Sequence, residues 1–111
     1  MNPDSTCNFV VIIYHKTTCM KKFVIERNLP GAENLTPAEL LALASTFCEV
    51  ITKMGTPYYW IQSLITADKI YCIHIAESEE EIREHARLGK LPINTVSEVK
   101  MVIDPLTSNP L

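Results

Sequence analysis

The sequence predicts a small α+β domain, and two observations indicate this class. Strand-like and helix-like patterns follow one another along the chain in the order strand, helix, strand, strand, helix, strand. Both helical patterns open with strong N-terminal capping signals, which fix where each helix begins. The length of 111 residues and the apolar share of 47% fit one folded domain, and exclude a disordered chain.

The first three elements lie between residues 22 and 66. Residues 22–27 (KFVIER) favour a strand, and the Pro-Gly pair that follows shortly afterwards favours a turn. Thr36–Glu39 (TPAE) combines a capping box with proline at the first helical position, so we expect a helix from there to about Met54. Residues 58–66 (YYWIQSLIT) are rich in aromatic and β-branched residues and predict the second strand.

The last three elements complete the order β-α-β-β-α-β. Residues 70–76 (IYCIHIA) predict a third strand, which forms a hairpin with the second. Ser78–Glu81 (SEEE) is a second capping box and opens a helix that runs to about Gly89. Residues 96–104 predict the last strand. This order is that of ferredoxin-like domains, so we predict a four-stranded antiparallel sheet with two helices on one face.

The chain is expected to divide into three parts. Residues 20–105 form the ferredoxin-like domain, and residues 106–111 a loose tail. Within residues 1–19, the apolar run NFVVIIYH lacks preceding basic residues and a cleavage site, so it is a poor signal peptide. We interpret residues 1–19 as an added edge strand or as the product of a start codon assigned too early.

Composition narrows the choice of partners and compartment. The formal net charge of −3 disfavours binding to nucleic acid. No apolar run reaches the ~18 residues needed to cross a bilayer, so we expect no membrane partner. The four cysteines form no CxxC pair or disulfide framework, which predicts a reducing, cytoplasmic location.

Strand alternation predicts which side chains lie on the sheet face that the helices leave uncovered. We expect Tyr71, Ile73 and Ile75 of the third strand, and Val99, Met101 and Ile103 of the fourth, to face the helices. The uncovered face would then hold Val24, Glu26, Trp60, Gln62, Leu64, Ile70, Cys72, His74, Glu98, Lys100 and Val102. Since so apolar a face is unfavourable in water, we predict a homodimer in which two sheets meet around a cavity.

The chemistry-bearing residues on this predicted face are His74, Glu26 and Glu98. Imidazole with carboxylates is a ligand set for Ni, Zn, Fe or Mn. The alternative is an interface histidine held by hydrogen bonds, with Lys100 pairing the acids. His85 lies at the edge of the apolar stripe of the second helix, where it is either a helix histidine favoured by the dipole or a ligand or proton carrier. The sequence contains no GxGxxG motif, no P-loop and no recognisable nucleophile.

Residues 20–105 resemble a family of small bacterial ferredoxin-like proteins of unassigned function, some described as nickel-binding. The resemblance is carried by MKKFVIERNLPGA, by LTPAELLALA and by YCIHIAESEEEIREHARLGKLPINTVSEVKMVIDP. It implies a dimer and a transition metal such as nickel near His85, with Glu98 the next candidate ligand. The chain departs from the nickel-binding relatives, which carry further histidines where it has Glu26-Arg27 and Gly89-Lys90.

Three functions are consistent with these observations. The first is a small dimeric protein that binds a transition metal through His85, with His74, Glu98 and Glu26 as further ligands. The second is a dimeric α+β barrel enzyme, similar to monooxygenases or isomerases, in which His74 orients a substrate or transfers a proton in a cavity between the sheets. The third is a regulatory or structural partner module without small-molecule chemistry, because this fold hosts many functions.

Overall fold

The structure is a computed structural model and describes residues 19–109. Its strands and helices are β1 (Lys21–Asn28), α1 (Pro37–Met54), β2 (Tyr58–Ile65), β3 (Lys69–Ala76), α2 (Glu79–Gly89) and β4 (Thr95–Glu98). The four strands form one antiparallel sheet in the order β2-β3-β1-β4. The predicted ferredoxin-like α+β class is thereby confirmed. Both interpretations of residues 1–19, an added edge strand or a start codon assigned too early, concern a segment of which residues 1–18 lie outside the described residues.

Short 3₁₀ turns complete the fold at Ala32–Asn34 and Pro105–Ser108. The second of these turns is capped by the Asp104 side chain, which accepts a hydrogen bond from Leu106 N. No helix within residues 19–109 is both long enough and apolar enough to cross a membrane.

Helix α1 begins and ends as its sequence predicts. The Thr36 side chain accepts a hydrogen bond from Glu39 N, and the Glu39 carboxylate accepts one from Thr36 N, so both halves of the capping box are present. These bonds satisfy two of the backbone donors that a helix N-terminus leaves unpaired. Gly55 ends the helix at φ 67°, a left-handed conformation that favours glycine.

Helix α2 uses only half of its predicted capping box. Ser78 accepts a hydrogen bond from Glu81 N. The Glu81 carboxylate does not return to the Ser78 backbone; its Oε2 atom accepts a 3.0 Å hydrogen bond from the Thr56 hydroxyl. The carboxylate therefore ties the start of α2 to the turn before β2. Lys90 ends the helix in the left-handed region at φ 56°.

Strand β4 is shorter than residues 96–104. It ends at Glu98, and one further backbone bond runs from Val99 N to Lys22 O. Its partner β1 begins at Lys21, so the edge available for pairing ends there. Met101 and Ile103, predicted to face the helices, are 85% and 81% exposed, and that prediction is wrong.

The pairing of β3 shows that the set of its side chains facing the helices is the opposite of the predicted one. Phe23 of β1 lies opposite His74, and Ile25 lies opposite Cys72. Directly paired residues point to the same side of a sheet, and Phe23 and Ile25 are buried beneath the helices. The helix-facing residues of β3 are therefore Ile70, Cys72, His74 and Ala76, and the prediction that Tyr71, Ile73 and Ile75 face the helices is wrong.

A β-bulge between Trp60 and Gln62 changes the phase of β2. Trp60 lies opposite the inward-facing His74, and Ser63 lies opposite the inward-facing Cys72. The predicted placement of Trp60 on the uncovered face is therefore wrong, while Gln62 and Leu64 lie opposite Ile73 and Tyr71 on that face, as predicted. One extra residue in a strand is enough to produce this change.

Replacing Thr36 by alanine tests the capping box of α1. The Thr36→Ala protein loses the acceptor for Glu39 N, so we expect the free energy of unfolding to fall by about 1 kcal/mol. Urea unfolding followed by circular dichroism measures this change. Thr52→Ala, on the exposed surface of the same helix, is the control and should change stability by less than about 0.5 kcal/mol. Equal losses in the two variants would contradict the role given to the cap.

Candidate functional site

Two histidines from separate elements meet beneath the helices. His74 comes from the middle of β3 and His85 from α2, and both are 0% exposed. Their ring centroids are 5.2 Å apart, and the ring planes are nearly perpendicular at 87°. The sequence singled out both residues, but it placed His74 on the opposite face of the sheet.

The position of His85 follows from helical spacing. Ile82, His85 and Ala86 are separated by three and four residues, so they lie on one face of α2, and all three are buried. This face packs toward α1, whose Phe47 is 1% exposed and has its ring centroid 5.6 Å from that of His85. His85 is thus part of the apolar stripe itself.

The hydrogen bond of His85 determines its tautomer. His85 Nε2 lies 3.2 Å from the backbone carbonyl oxygen of Phe47. A carbonyl oxygen only accepts, so Nε2 carries the proton and Nδ1 is left with a lone pair. Nδ1 is buried and has no hydrogen-bond partner. His85 therefore presents an unused acceptor inside the domain.

Tyr58 holds the ring of His74. Its hydroxyl lies 2.5 Å from His74 Nδ1, and the remaining nitrogen, Nε2, is buried without a partner. The Tyr58 ring also stacks on His85 with an interplanar angle of 7° and centroids 4.9 Å apart. Burial raises the pKa of Tyr58, so its hydroxyl stays protonated at neutral pH. One tyrosine thus orients both imidazole rings.

Arg27 is the functional candidate that the sequence analysis missed. Its side chain is 3% exposed, and its Nη1 atom donates to the carbonyl oxygens of Pro92 at 3.0 Å and Leu91 at 3.4 Å. Its Nε and Nη2 atoms are buried without partners, and its Cζ atom lies 5.6 Å from the Phe47 ring centroid. Arg27 follows Phe23 and Ile25 at two-residue steps, so strand alternation alone indicates that it faces inward.

The surroundings of both histidines favour their neutral forms. Burial lowers the pKa of His74 to about 3, and the nearby His85 and Arg27 act in the same direction. Burial also lowers the pKa of His85; the hydrogen bond to Phe47 O opposes this shift, and Arg27 adds to it. At neutral pH the site therefore holds two uncharged imidazoles beside one guanidinium.

The two predicted carboxylates lie apart from the histidine pair. Glu26 is on the uncovered face opposite Tyr71 and forms a 3.1 Å ion pair with Lys69. Glu98 lies opposite Phe23, so it belongs to the helix-facing phase of the edge strand, and it pairs with Lys100 at 3.1 Å. The prediction that His74, Glu26 and Glu98 share the uncovered face is wrong. Among residues 19–109, no three His, Cys, Asp or Glu side chains come together.

The position of His74 removes the role that the enzyme hypothesis gave to this residue. That hypothesis required His74 to line a cavity between two sheets. The ring lies instead on the helix-covered side, between β3 and the aromatic rings of Phe47 and Tyr58. An acid or base in an intersheet cavity would have to come from another residue.

Comparisons with known proteins agree with this fold. Residues 23–99 match the model of a family described as "Nickel responsive protein SCO4226-like". The structure is similar to the crystal structure of SCO4226 from Streptomyces coelicolor A3(2), with a TM-score of 0.63 and 15% sequence identity, over 74% of this chain and 99% of that one. No curated protein matches the sequence. The family resemblance inferred from the sequence is confirmed, and the structural likeness supports the fold alone.

The buried histidines predict a stability that depends on pH. The folded pKa of His74, about 3, lies below its ordinary value of 6.5, so the unfolded chain binds more protons between these values. The contribution is complete above about pH 6.5 and is lost as the pH falls toward 3, by at most about 1.4 kcal/mol per pH unit for each such histidine. Urea unfolding of chelator-treated protein at pH 7, 6 and 5 measures the slope.

His74→Gln is the matched variant for this experiment, because it removes one of the two depressed pKa values. Its unfolding free energy should depend less steeply on pH than that of the unchanged protein. An NMR titration of the folded protein provides a direct check, and a His74 ring that titrates near pH 6.5 would refute the assignment.

Proposed function

Because the chain belongs to the family of SCO4226-like nickel responsive proteins, we propose that it binds a divalent transition metal such as nickel and works as a homodimer. One observation carries the choice of donors. The nitrogens His74 Nε2 and His85 Nδ1 are buried without partners on two rings that lie next to each other. Imidazole nitrogen is a suitable ligand for Ni, Zn, Cu and Fe.

The hydrogen bonds behind the two rings support this choice. A metal-binding histidine generally uses its second ring nitrogen to bond a carbonyl, carboxylate or water, which fixes the tautomer and the ring orientation. Here Phe47 O accepts the hydrogen bond of His85 Nε2. For His74 to bind a metal through Nε2, its Nδ1 would donate to the Tyr58 hydroxyl oxygen. The lowered pKa values of both rings keep them neutral, as metal binding requires.

The two histidines provide only part of a metal coordination shell, and the positively charged Arg27 lies near them. Two imidazoles supply two of the four to six positions that such metals use, and the described residues bring no third His, Cys, Asp or Glu side chain to them. Arg27 lowers the pKa of both histidines, and the same positive charge disfavours a bare cation there. The metal would therefore enter together with an anion or water that completes its coordination.

The dimer is proposed from the uncovered face of the sheet. Val24 lies opposite Ile73, Tyr59 opposite Ile75, and Leu64 opposite Tyr71. These six side chains form a largely apolar patch across β1, β3 and β2, in which Gln62, opposite Ile73, is the polar member. Tyr59 and Leu64 are 56% and 51% exposed. A second copy of the chain would bury this patch, and a contiguous exposed patch of this kind typically marks an interface.

The three cysteines of the described residues are free, which suits a reducing, cytoplasmic setting.

Nickel titration of metal-free, untagged protein tests the metal proposal. We expect the unchanged protein to bind Ni(II), and His74→Gln and His85→Gln each to weaken binding by about tenfold or more, as loss of a ligand or of its orienting partner does. Isothermal titration calorimetry gives the affinities, and thermal unfolding checks that each variant is folded.

Tyr58→Phe and two carboxylate variants sharpen this test. Tyr58→Phe keeps both imidazoles but removes the bond that orients His74, so a roughly tenfold loss is expected. Glu26→Gln and Glu98→Gln are controls and should bind like the unchanged protein, since each carboxylate is paired with a lysine. Absence of nickel binding, or affinities unaffected by both histidine changes, would overturn the proposal.

The oligomeric state tests the proposed interface. Ile73→Glu introduces a charge at the centre of the apolar patch, and burying an unpaired carboxylate is strongly unfavourable, so the variant should be monomeric where the unchanged protein is dimeric. Sedimentation equilibrium measures the mass. Ile103→Glu alters an apolar side chain that is 81% exposed outside the sheet and should leave the dimer intact. A monomeric unchanged protein at micromolar concentration would rule out the interface.

A further inference from the structure

A separate cavity of about 340 Å³ lies beside the histidine pair, between α1, the end of β1 and the loop after α2. Its apolar walls include Leu29, Leu35, Leu43, Phe47, Ile70 and Leu91. This volume is typical of a site for a small organic molecule. Neither His74 nor His85 lines it.

Arg27 gives this apolar cavity a charged wall. Two charged residues line the cavity, Arg27 and Glu39. Arg27 is buried, with 3% of its surface exposed, whereas Glu39 is exposed and lies at the rim. The Glu39 carboxylate is already engaged, because it accepts the hydrogen bond from Thr36 N that caps α1. The guanidinium has no such engagement at Nε and Nη2, and no carboxylate of the described residues pairs with it.

An unpaired buried guanidinium is costly. A buried charge is normally balanced by an opposite charge and by hydrogen bonds to all of its donors. Of the three nitrogens of Arg27, only Nη1 has acceptors, and these are two neutral carbonyls. What the site lacks is therefore an anion with two acceptor atoms that can lie side by side.

From this combination we propose that the cavity binds a small organic acid. The carboxylate accepts hydrogen bonds from Nε and Nη2 of Arg27, in the paired geometry that arginine makes with carboxylates. The hydrocarbon part lies against Leu35, Leu43 and Ile70. Apolar walls of this kind favour a hydrocarbon acid over inorganic phosphate or sulfate, which would leave them uncovered. The proposal does not depend on metal binding.

Titration of the full chain with octanoate, in chelator-containing buffer, tests the proposal. Octanoate carries a carboxylate and an apolar tail, and octanamide has nearly the same shape without the charge. We expect octanoate to shift the amide NMR signals of Leu43, Phe47, Ile70 and Leu91 in a saturable way. Octanamide should bind about tenfold more weakly or worse, since a charge-assisted pair is lost.

Two variants locate the binding. Arg27→Lys keeps the charge but not the paired donors, so it should bind octanoate about tenfold more weakly. Leu43→Trp fills the cavity and should abolish binding. Leu41→Trp is the control, because Leu41 lies on the same helix, is 69% exposed and does not line the cavity. If Arg27→Lys fails to fold, the two probes and the Leu43→Trp variant decide.

Several outcomes would overturn the proposal. One is the absence of saturable shifts with octanoate at about 10 mM, which corresponds to binding too weak to be specific. Others are equal binding of octanoate and octanamide, or shifts confined to Tyr71 and Ile73 on the uncovered face. Intramolecular NOEs from residues 9–13 to the Leu43 methyl groups would also overturn it, because the chain itself would then occupy the cavity.

Discussion

The antiparallel pairing of β1 with β3 is the constraint on which the interior of this domain depends. By setting Phe23 opposite His74, it directs alternate residues of both strands beneath the helices. The same register brings His74 within reach of His85 and leaves Tyr71, Ile73 and Ile75 on the other side. A shift of one residue would exchange these two sets completely. The histidine pair and the apolar outer patch are therefore two results of one register.

The interior selected in this way is unusually polar for a small domain. Two imidazoles, a phenol and a guanidinium lie between the sheet and α1, and four of their nitrogen atoms have no partner. Each such atom forfeits its bond to water on folding. A core optimised for stability alone would place apolar side chains at these positions. The two proposed sites would supply partners for these atoms, so ligand binding would offset part of this cost.

Local chemistry made the fold predictable, whereas the site depended on strand pairing. The boundaries of α1 follow from Thr36, Glu39 and Gly55, which act within one helical turn of their own positions. The phase of β3 had no comparable signal, because both alternating sets, one with Ile70 and Cys72 and the other with Ile73 and Ile75, are apolar. The bulge in β2 likewise depends on its pairing with β3. The sequence therefore identified His74 and His85 but not the face on which they meet. Arg27 was missed for a different reason, because its inward position follows from its two-residue spacing to Ile25 and needs no pairing information.

The loop after α2 links this interior to the edge of the sheet. The Arg27 guanidinium donates to the carbonyl oxygens of Leu91 and Pro92. Two residues later, Asn94 forms two hydrogen bonds with β1. Its backbone N donates to Glu26 O at 2.9 Å, and its side-chain oxygen accepts from Asn28 N at 2.6 Å. Residues 91–94 are thus fastened to β1 at both ends, first to the Arg27 guanidinium and then, just before β4 begins, to the backbone groups of Glu26 and Asn28. Any rearrangement of the guanidinium must pull on this short connection. A ligand that reoriented the guanidinium would therefore displace the backbone where β4 begins, so that binding inside the domain would alter the edge of the sheet.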